Sequence, residues 1–505
     1  MGAGHQVAFF ERELGSADPS RRAAAVKGLS RLPGHAGELA ALAADTSPQV
    51  RAAVALGLGR QGEAAPVAPL VALCSDSDAE VRRRAVNALD RLGAAGPDVC
   101  AAFVRLAGDT GLRNRAAVLA WLLRHRVPVP AVTLVPLLAA TDSLLWSPAR
   151  LLLRLLPEAD AVLADLVRTG TGEVRRRALD MLAMPQAGVP DLGSQDDPDA
   201  REAAWRRLWN PAPRVVEALL SAVSDATEPH ACRVLLGALA AHRVTGAVAP
   251  AAAWLDDPEI GPGAAEALAA AGTVEAVAAL RRSAMAPGRR DERLRGTAVR
   301  CMGAAGGVPD AELLFGLLDD PADPVRFGAV AGLGAFFRRF EPSATGRLER
   351  WRAERFPGIP ALPPADDPEV RELAHRSAAR LTHMLERDVE HADDYHNALW
   401  NIPEVRPLLP ALLENPEGRV RSTALHLAER FGDVDFAARL RLLHDAHHHV
   451  RQGAAFTFMR LAARHRLTPD EQNALRPHLE QAQNDPDHYV RTRATQTLPH
   501  LSGDR

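Results

Sequence analysis

Apolar and polar positions follow one short pattern that recurs along the chain: Val or Leu, then Arg, then Ala three residues after the Arg. Complete copies begin at Val81, Leu112, Val174, Leu294, Val325, Val370, Val420, Val450 and Val490, and a copy with Val in place of Ala begins at Val50. Each complete copy has another apolar residue four positions after the Ala. This spacing places the apolar residues on one face of an α-helix. Because the copies recur mostly every 30 to 50 residues, they predict an all-α fold, an α-solenoid in which antiparallel helix pairs stack into a superhelix.

A polar loop precedes most copies. Asp or Asn lies six residues before the Arg at Asp45, Asp76, Asp320, Asn415, Asp445 and Asp485, often with Pro beside it. These residue types end one helix and cap the next. The Arg lies near the start of its helix, where the helix dipole disfavours a cation. Its recurrence therefore predicts a carboxylate partner, which is the loop Asp of its own repeat or of the adjacent repeat.

The loop and the helix pattern together resemble the HEAT-repeat family. The short Asp-Pro and Val-Arg-x-x-Ala form is similar to the bacterial HEAT-like repeats of phycobilin lyase subunits. In that family the Asp and Arg residues form a ladder between repeats, so the resemblance implies a structural role for Asp76, Arg82, Asp320, Arg326, Asp445, Arg451, Asp485 and Arg491. The family is diverse in function, so the resemblance predicts the fold and names no activity.

The spacing of the copies divides the chain into three parts. Residues 1–337 are expected to form an N-terminal array, in which 127–160 is a degenerate, Pro-broken repeat and 186–200 is a loop. Residues 338–366 interrupt the pattern, and residues 367–505 are expected to form a C-terminal array.

The interruption combines aromatic and basic residues. Five of the 22 aromatic residues fall within 21 positions, at Phe336, Phe337, Phe340, Trp351 and Phe356. A repeat interior is not expected to need them, so we expect the interruption to be ordered against the solenoid and to expose part of an apolar face near the break. The predicted partner-binding residues are Arg347, Leu348, Arg350, Trp351, Arg355 and Phe356. The alternative is a spacer whose aromatic residues pack on the edge of the solenoid.

Thirteen of the 18 histidines lie after residue 370. His447, His448 and His449 fill one repeat loop, and His488 occupies the equivalent position in the next. Such loops could converge on a metal ion or act as a proton switch, and otherwise the histidines are solvated. Around His391, a helix would place acidic side chains on one face, which suits either a cation or solvent. Deoxyhypusine hydroxylases use paired His-Glu ligands on a HEAT-like fold, and the absence of a His-Glu dipeptide here argues against that activity.

Composition narrows the function classes further. The 505 residues include 60 basic and 63 acidic ones, and a net charge of −3 argues against a nucleic-acid partner. The four cysteines are far apart, and no signal peptide or apolar run of membrane-spanning length is apparent. A cytoplasmic location is therefore expected.

No Walker A loop, G-x-S-x-G, H-E-x-x-H or Rossmann motif occurs, so no catalytic residue, cofactor or metal ligand is assigned.

The sequence therefore predicts a non-catalytic scaffold that binds another protein along the concave solenoid surface, which the second helix of each repeat lines. One alternative is a HEAT-like enzyme, such as a lyase-like chaperone that acts on a bound chromophore. Another is a nucleic-acid-binding protein similar to HEAT-like DNA glycosylases, suggested by the basic segment 101–150 with Trp121. A shallow continuous groove would favour protein binding, and one deep pocket with convergent polar groups would favour chemistry.

Overall fold

The computed structural model describes most of the chain. It covers residues 2–111, 113–183, 202–203, 205–206, 208–226, 228–286, 291–341, 344–432 and 434–501. Within these ranges all regular secondary structure is helical. The first residue of the copy at Leu112 and the predicted loop 186–200 lie outside the described residues.

The chain forms two compact units. Unit 1 comprises Met1–Leu192 and Ala212–Ala222, and unit 2 comprises Gly193–Pro211 and Val223–Arg505. The predicted boundaries at 338 and 366 remain a prediction about domains.

The α-helices are numbered through both units. Those of unit 1 are α1 (Gly2–Glu13), α2 (Pro19–Leu29), α3 (Ala36–Ala41), α4 (Pro48–Leu58), α5 (Val67–Leu73), α6 (Ala79–Arg91), α7 (Pro97–Ala107), α8 (Arg115–Arg124), α9 (Ala131–Leu134), α10 (Ser143–Arg154), α11 (Ala159–Thr169) and α12 (Gly172–Ala183). Helix α13 (Pro213–Asp225) contains the boundary at residue 222. Those of unit 2 are α14 (Pro229–Ala241), α15 (Val248–Ala252), α16 (Gly261–Ala271), α17 (Val274–Ala284), α18 (Glu292–Ala305), α19 (Val308–Gly316), α20 (Asp323–Arg338), α21 (Ala344–Arg355), α22 (Pro368–Arg387), α23 (Ala392–Leu399), α24 (Leu409–Leu413), α25 (Gly418–Phe431), α26 (Phe436–Leu442), α27 (His448–Ala463), α28 (Pro469–Ala482) and α29 (His488–Thr497).

The pair α5 and α6 illustrates how the pattern builds a repeat. The Asp78 side chain caps α6 by accepting hydrogen bonds from the backbone N–H groups of Glu80 and Val81. Val81 and, one and two turns later, Ala85 and Leu89 are fully buried. The local sequence thus sets both the start of the helix and the face that it buries.

The helices of one layer pack on one another in chain order, which is the contact scheme of a solenoid. We call them the pattern helices, since all of those named below except α2, α14, α16 and α23 carry a copy of the pattern. In unit 1 this layer begins with α2, α4 and α6, and in unit 2 it runs through α14, α16, α18, α20, α23, α25, α27 and α29. The helices between them pack against this layer. The predicted α-solenoid is therefore confirmed. No helix of the described residues is both long and apolar enough to cross a membrane.

Glycines allow one pair of pattern helices, α18 and α20, to approach very closely. A Cβ atom at Gly303 would overlap the carbonyl oxygen of Gly332, and one at Gly296 would overlap the carbonyl of Pro324. Backbone therefore packs directly on backbone at these positions, which larger residues cannot allow.

Two segments depart from the regular repeat. Residues 127–160 contain the short α9, a 3₁₀ segment Val135–Ala139 and helix α10 with Pro148 inside it. The copy at Val370 begins α22, which packs on α19 and on the 3₁₀ segment Pro403–Leu408. Although α22 carries the pattern, it therefore lies among the helices between the pattern helices and not in their layer. Its apolar stripe is nevertheless buried, because the stripe fixes a buried face and not the layer.

Candidate functional site

Arginines near the starts of six pattern helices bind the aspartate of the following repeat loop among the described residues. The pairs are Arg22–Asp45, Arg51–Asp76, Arg82–Asp109, Arg295–Asp320, Arg421–Asp445 and Arg451–Asp485. We call this set the loop ladder. In a typical rung, Nε and Nη2 of Arg51 donate to the two carboxylate oxygens of Asp76 at 2.6 and 2.8 Å. Nη1 of the same Arg donates to the carbonyls of Asp45 and Thr46 at 2.8 and 3.1 Å. One guanidinium thus joins its own loop to the next.

Hydrogen bonding within the ladder favours the ionised carboxylates. The guanidinium of Arg22 holds the pKa of Asp45 below its usual value. Burial alone would raise the pKa of Asp445, but the hydrogen bonds from Arg421 and from the backbone N–H of His447 lower it overall. Asp45 and Asp445 are therefore charged at neutral pH, and their pairs with Arg22 and Arg421 are charge-assisted and bidentate.

The sequence identified several members of the ladder but not the pairing. Of the eight predicted residues, Arg451 and Asp485 are bound to each other. Asp76, Arg82, Asp320 and Asp445 instead pair with Arg51, Asp109, Arg295 and Arg421, which the predicted set did not contain. Arg22 was missed because its helix lacks the Val or Leu before the Arg.

Two of the predicted arginines, Arg326 and Arg491, bind their own repeat loop but no aspartate of a following loop within the described residues. Nη1 of Arg326 donates to the carbonyls of its own loop at Asp320 and Pro321, and Nη2 contacts the exposed carboxylate of Asp323. Arg491 donates to the carbonyls of Asp485 and Pro486. Within the described residues, Arg326 forms no ion pair with an aspartate of a following loop.

The interruption 338–366 contains helix α21, which packs on other helices of unit 2. Leu348 is 3% exposed and Arg352 is 1% exposed. Nη2 of Arg352 donates to the carbonyls of Ala270 and Ala271, at the end of α16, at 2.8 and 3.0 Å. Burial lowers the pKa of Arg352 to about 10, so the side chain stays charged at neutral pH. The charge is placed where the carbonyls of a helix C-terminus accept it.

Further polar contacts hold α21 in place. Nε of Arg347 donates to Glu202 at 2.8 Å, and Arg243 donates to the carboxylate of Glu349. The Trp351 ring contacts Phe356 edge-on at 6.0 Å between ring centroids. Arg206 lies over the Trp351 ring at 5.6 Å.

These contacts locate the predicted partner-binding residues. Leu348 points into the protein, and Trp351 and Phe356 are half-buried. Arg347, Arg350 and Arg355 are exposed. The aromatic residues before the helix have another role than predicted, because Phe336 and Phe337 are buried in α20. Their occurrence therefore does not indicate an exposed apolar face.

A groove crosses four successive pattern helices of unit 2, α23, α25, α27 and α29. We call it the C-terminal groove. Its hollow measures about 400 Å³ and is lined by Glu390, Ala392, Asp393, His396, Arg419, Ser422, Thr423, His426, His449, Gln452, Gly453, Phe456 and Arg493. Each helix contributes part of the lining, so the hollow extends across all four helices. Sequence reasoning missed it because its residues are far apart in the chain.

Two exposed aromatic side chains lie at this hollow, each with an arginine over its ring: Phe456 is part of the lining, and the Trp400 ring contacts the lining residue His396 at 5.4 Å. Trp400 is 37% exposed with Arg430 over the ring at 5.4 Å. Phe456 is 39% exposed, and Arg493 and Arg460 lie 5.0 and 5.8 Å from its ring centroid. Flat apolar faces bordered by arginine are the chemistry that dominates the energy of many protein interfaces.

Histidines supply neutral hydrogen-bonding groups between these aromatic residues. The rings of His396 and His426 lie 5.8 Å apart. Burial lowers the pKa of His396, so its imidazole is neutral at pH 7. Nε2 of His396 is buried and has no hydrogen-bond partner among the described residues. The groove therefore holds a polar atom that a bound molecule could satisfy.

Other histidines of unit 2 contact one another or a neighbouring aromatic or acidic side chain. His447, His448 and His449 stack on one another with centroids 4.0 to 5.5 Å apart. His444 pairs with His478, at 2.7 Å between ring nitrogens, and His488 contacts Tyr489. His391 and Tyr395 both bind Asp388. Where the structure is described, the one group of three His, Cys or acidic ligand atoms within 4.8 Å of one another is Glu11, His35 and Glu38, in unit 1.

Comparison with known proteins agrees with the repeat pattern. Residues 37–124 match the sequence profile for HEAT repeats. A crystal structure of importin beta aligns at 12% identity over 98% of this chain and 69% of that chain, with a TM-score of 0.43. Kap121p bound to Ste12p aligns at 13% identity over 98% and 56%, with a TM-score of 0.36, so this chain spans about half the length of Kap121p. A structure from work on the interaction between cadherin and beta-catenin aligns at 13% identity over 98% of both chains, with a TM-score of 0.29. No curated protein sequence matches this chain.

Proposed function

Because this chain carries HEAT repeats, we propose that it is a non-catalytic scaffold that binds a protein partner across the pattern helices of unit 2. The C-terminal groove is the binding surface in this proposal. The observation that carries it is the exposure of two aromatic residues at one hollow, Phe456 in its lining and Trp400 in contact with the lining residue His396, in a chain with only 22 aromatic residues. Exposed aromatic residues of this kind are costly to solvate and are enriched where proteins bind.

The lining residues suit a partner segment that presents carboxylates, cationic side chains and backbone polar groups. Arg419 and Arg493 offer donors to carboxylates, and Glu390 and Asp393 offer acceptors to cations. Neutral His396 can hydrogen-bond to backbone groups. A polypeptide supplies all three kinds of group, whereas a polyanion would meet the two acidic side chains of the lining.

Replacing both aromatic residues should abolish partner binding without unfolding the protein. In Trp400→Ala/Phe456→Ala, we expect loss of the proteins that wild-type protein captures from host extract, because truncation of such anchors typically costs about 2 kcal/mol or more each. The matched control is Phe9→Ala, which removes a 49% exposed aromatic residue with Arg12 at 5.5 Å, in unit 1. Quantitative mass spectrometry of the captured proteins provides the measurement.

A photocrosslinking amino acid locates the contact directly. Placed at position 456, it should link to the same proteins that the double variant loses, and placed at position 9 it should not. If the double variant and wild type captured the same proteins, the groove would not be the binding surface.

Helix α21 is a second part of the proposed surface, through Arg350, Arg355 and the half-buried Trp351. Capture with Arg350→Glu/Arg355→Glu tests it separately. A partner that needs α21 should be lost by this charge reversal, and a partner that needs only the groove should be retained.

A further inference from the structure

Three side chains with metal-binding chemistry converge at the start of unit 1. They are Glu11 on α1, His35 immediately before α3, and Glu38 in the first turn of α3. One ligand atom from each, a carboxylate oxygen or an imidazole nitrogen, lies within 4.8 Å of the other two. The three residues therefore already face a common point.

Packing holds the elements that carry these residues. Phe10 places its ring directly on Gly28 of α2, where a Cβ atom would meet the ring at 2.5 Å, and this contact sets the position of α1. The backbone N–H of His35 donates to Oε1 of Gln61 at 3.3 Å. Nε2 of Gln61 in turn donates to the carbonyls of Ser30 and Leu32. The backbone beneath the cluster is thus fixed, while both carboxylates are exposed and can rotate.

The cluster lacks a compensating cation. Within the described residues, no arginine or lysine forms an ion pair with Glu11 or Glu38, whereas the neighbouring Glu13 lies within 4 Å of Arg12 and Arg21. Nδ1 of His35 is buried and has no hydrogen-bond partner, although a carboxylate oxygen of Glu38 lies 3.7 Å away. The His35 side chain is only 15% exposed. A buried imidazole nitrogen without a hydrogen bond, beside two carboxylates that no arginine or lysine neutralises within the described residues, is an arrangement that a bound cation would satisfy.

We propose that Glu11, His35 and Glu38 form a zinc site that fastens α1 to the start of α3. One imidazole nitrogen with two carboxylates suits Zn²⁺, whereas Ca²⁺ and Mg²⁺ prefer oxygen ligands alone. Ligand atoms around tetrahedral zinc, at bonds of about 2.0–2.2 Å, lie roughly 3.4 Å apart. Rotation of the two exposed glutamates closes the remaining gap, and water completes the fourth position.

Zinc binding by this site has two consequences. The ion crosslinks α1 to the loop before α3, so it adds a fixed contact between two elements of unit 1. Because it binds the folded arrangement, it also stabilises that arrangement by mass action.

Titration of the metal-free full-length protein with ZnCl₂ alone tests the proposal. Isothermal calorimetry should show one site per chain, and binding should weaken at least about tenfold in Glu11→Gln and in His35→Gln. Hydrogen exchange should show that zinc protects α1 and α3 in wild type but not in Glu11→Gln. This variant changes an exposed side chain and therefore keeps the test valid if His35→Gln fails to fold.

Two controls separate this site from others. Glu13→Gln removes the neighbouring, arginine-paired acid and should bind zinc like wild type. His447→Gln/His448→Gln/His449→Gln removes the histidine loop and should do the same. Absence of zinc binding in wild type, unchanged binding in Glu11→Gln and His35→Gln, or loss of binding only in the triple histidine variant would each overturn the proposal.

Discussion

Replacing Arg352 by alanine is expected to lower the free energy of unfolding by roughly 2–3 kcal/mol. The side chain is 1% exposed and is hydrogen-bonded to the carbonyls of Ala270 and Ala271. Without it, the last carbonyls of α16 lose a charged donor in a place that water reaches poorly, and α21 loses its central attachment. Urea unfolding measures the total effect, and hydrogen exchange of residues 344–356 measures the release of the helix.

Arg350→Ala is the matched control, because Arg350 is an exposed arginine on the same helix. We expect it to change stability by less than about 0.5 kcal/mol. Equal effects of the two substitutions would contradict the assignment of Arg352 as the anchor of α21.

Replacing Arg451 by alanine is expected to destabilise unit 2 by about 1–3 kcal/mol. The Arg451 and Asp485 side chains are only 12% and 11% exposed, and the guanidinium joins two loops. Its loss removes two charged hydrogen bonds from the Asp485 carboxylate, which keeps, among the described residues, only the backbone N–H of Asp487, and one from the carbonyl of Asp445. The urea midpoint and the exchange rates of α27 and α29 are the measurements.

Arg326→Ala should have a clearly smaller effect than Arg451→Ala. Arg326 is 31% exposed and binds no aspartate of a following loop. Exposed ion pairs such as the one with Asp323 contribute about 0–1 kcal/mol. An equal shift for both variants would indicate that the contacts within one loop, and not the ladder between loops, provide the stability.

The ladder also predicts how stability depends on pH. The folded-state pKa of Asp445 lies below its ordinary value of 3.8. Its contribution to stability is therefore fully present above pH 3.8 and is lost as the pH falls through the lower folded-state pKa. Arg421→Ala, which removes the partner, should accordingly differ less from wild type at acid pH than at pH 7. A difference that stayed constant across this range would contradict the role of the ionised carboxylate.

Loop aspartates and pattern arginines could be identified from the sequence, but their pairing could not. Spacing locates Asp76 six residues before Arg82, and the structure pairs them with Arg51 and Asp109 instead. Within a loop, Arg82 reaches the backbone carbonyl of Asp76 and not its carboxylate. The choice depends on the distance between neighbouring loops, which sequence spacing does not contain.

For the interruption 338–366, the sequence identified unusual residues but could not tell which of them would be exposed and which buried. Its aromatic and basic residues predicted a surface for a partner, and the structure uses part of this composition for internal packing. Phe336 and Phe337 complete α20, while Leu348 and Arg352 attach α21 to a helix end more than 70 residues earlier in the chain. The sequence signal for an exposed aromatic residue and for a buried one is the same, since both are apolar positions beside charged ones.

The sequence by itself determined the helices of this protein, the face that each buries and the loops that end them. These features depend on the 3.6-residue helical period and on capping within a few residues, so they are visible in Val81, Ala85 and Leu89 or in the cap at Asp78. Only the tertiary structure decided that α22 lies in the other layer, that His396 and Phe456 border one groove, and that Glu11 meets His35. Each of these depends on how separate helices stack, because side-chain sizes across many repeats fix that geometry and no local pattern records it.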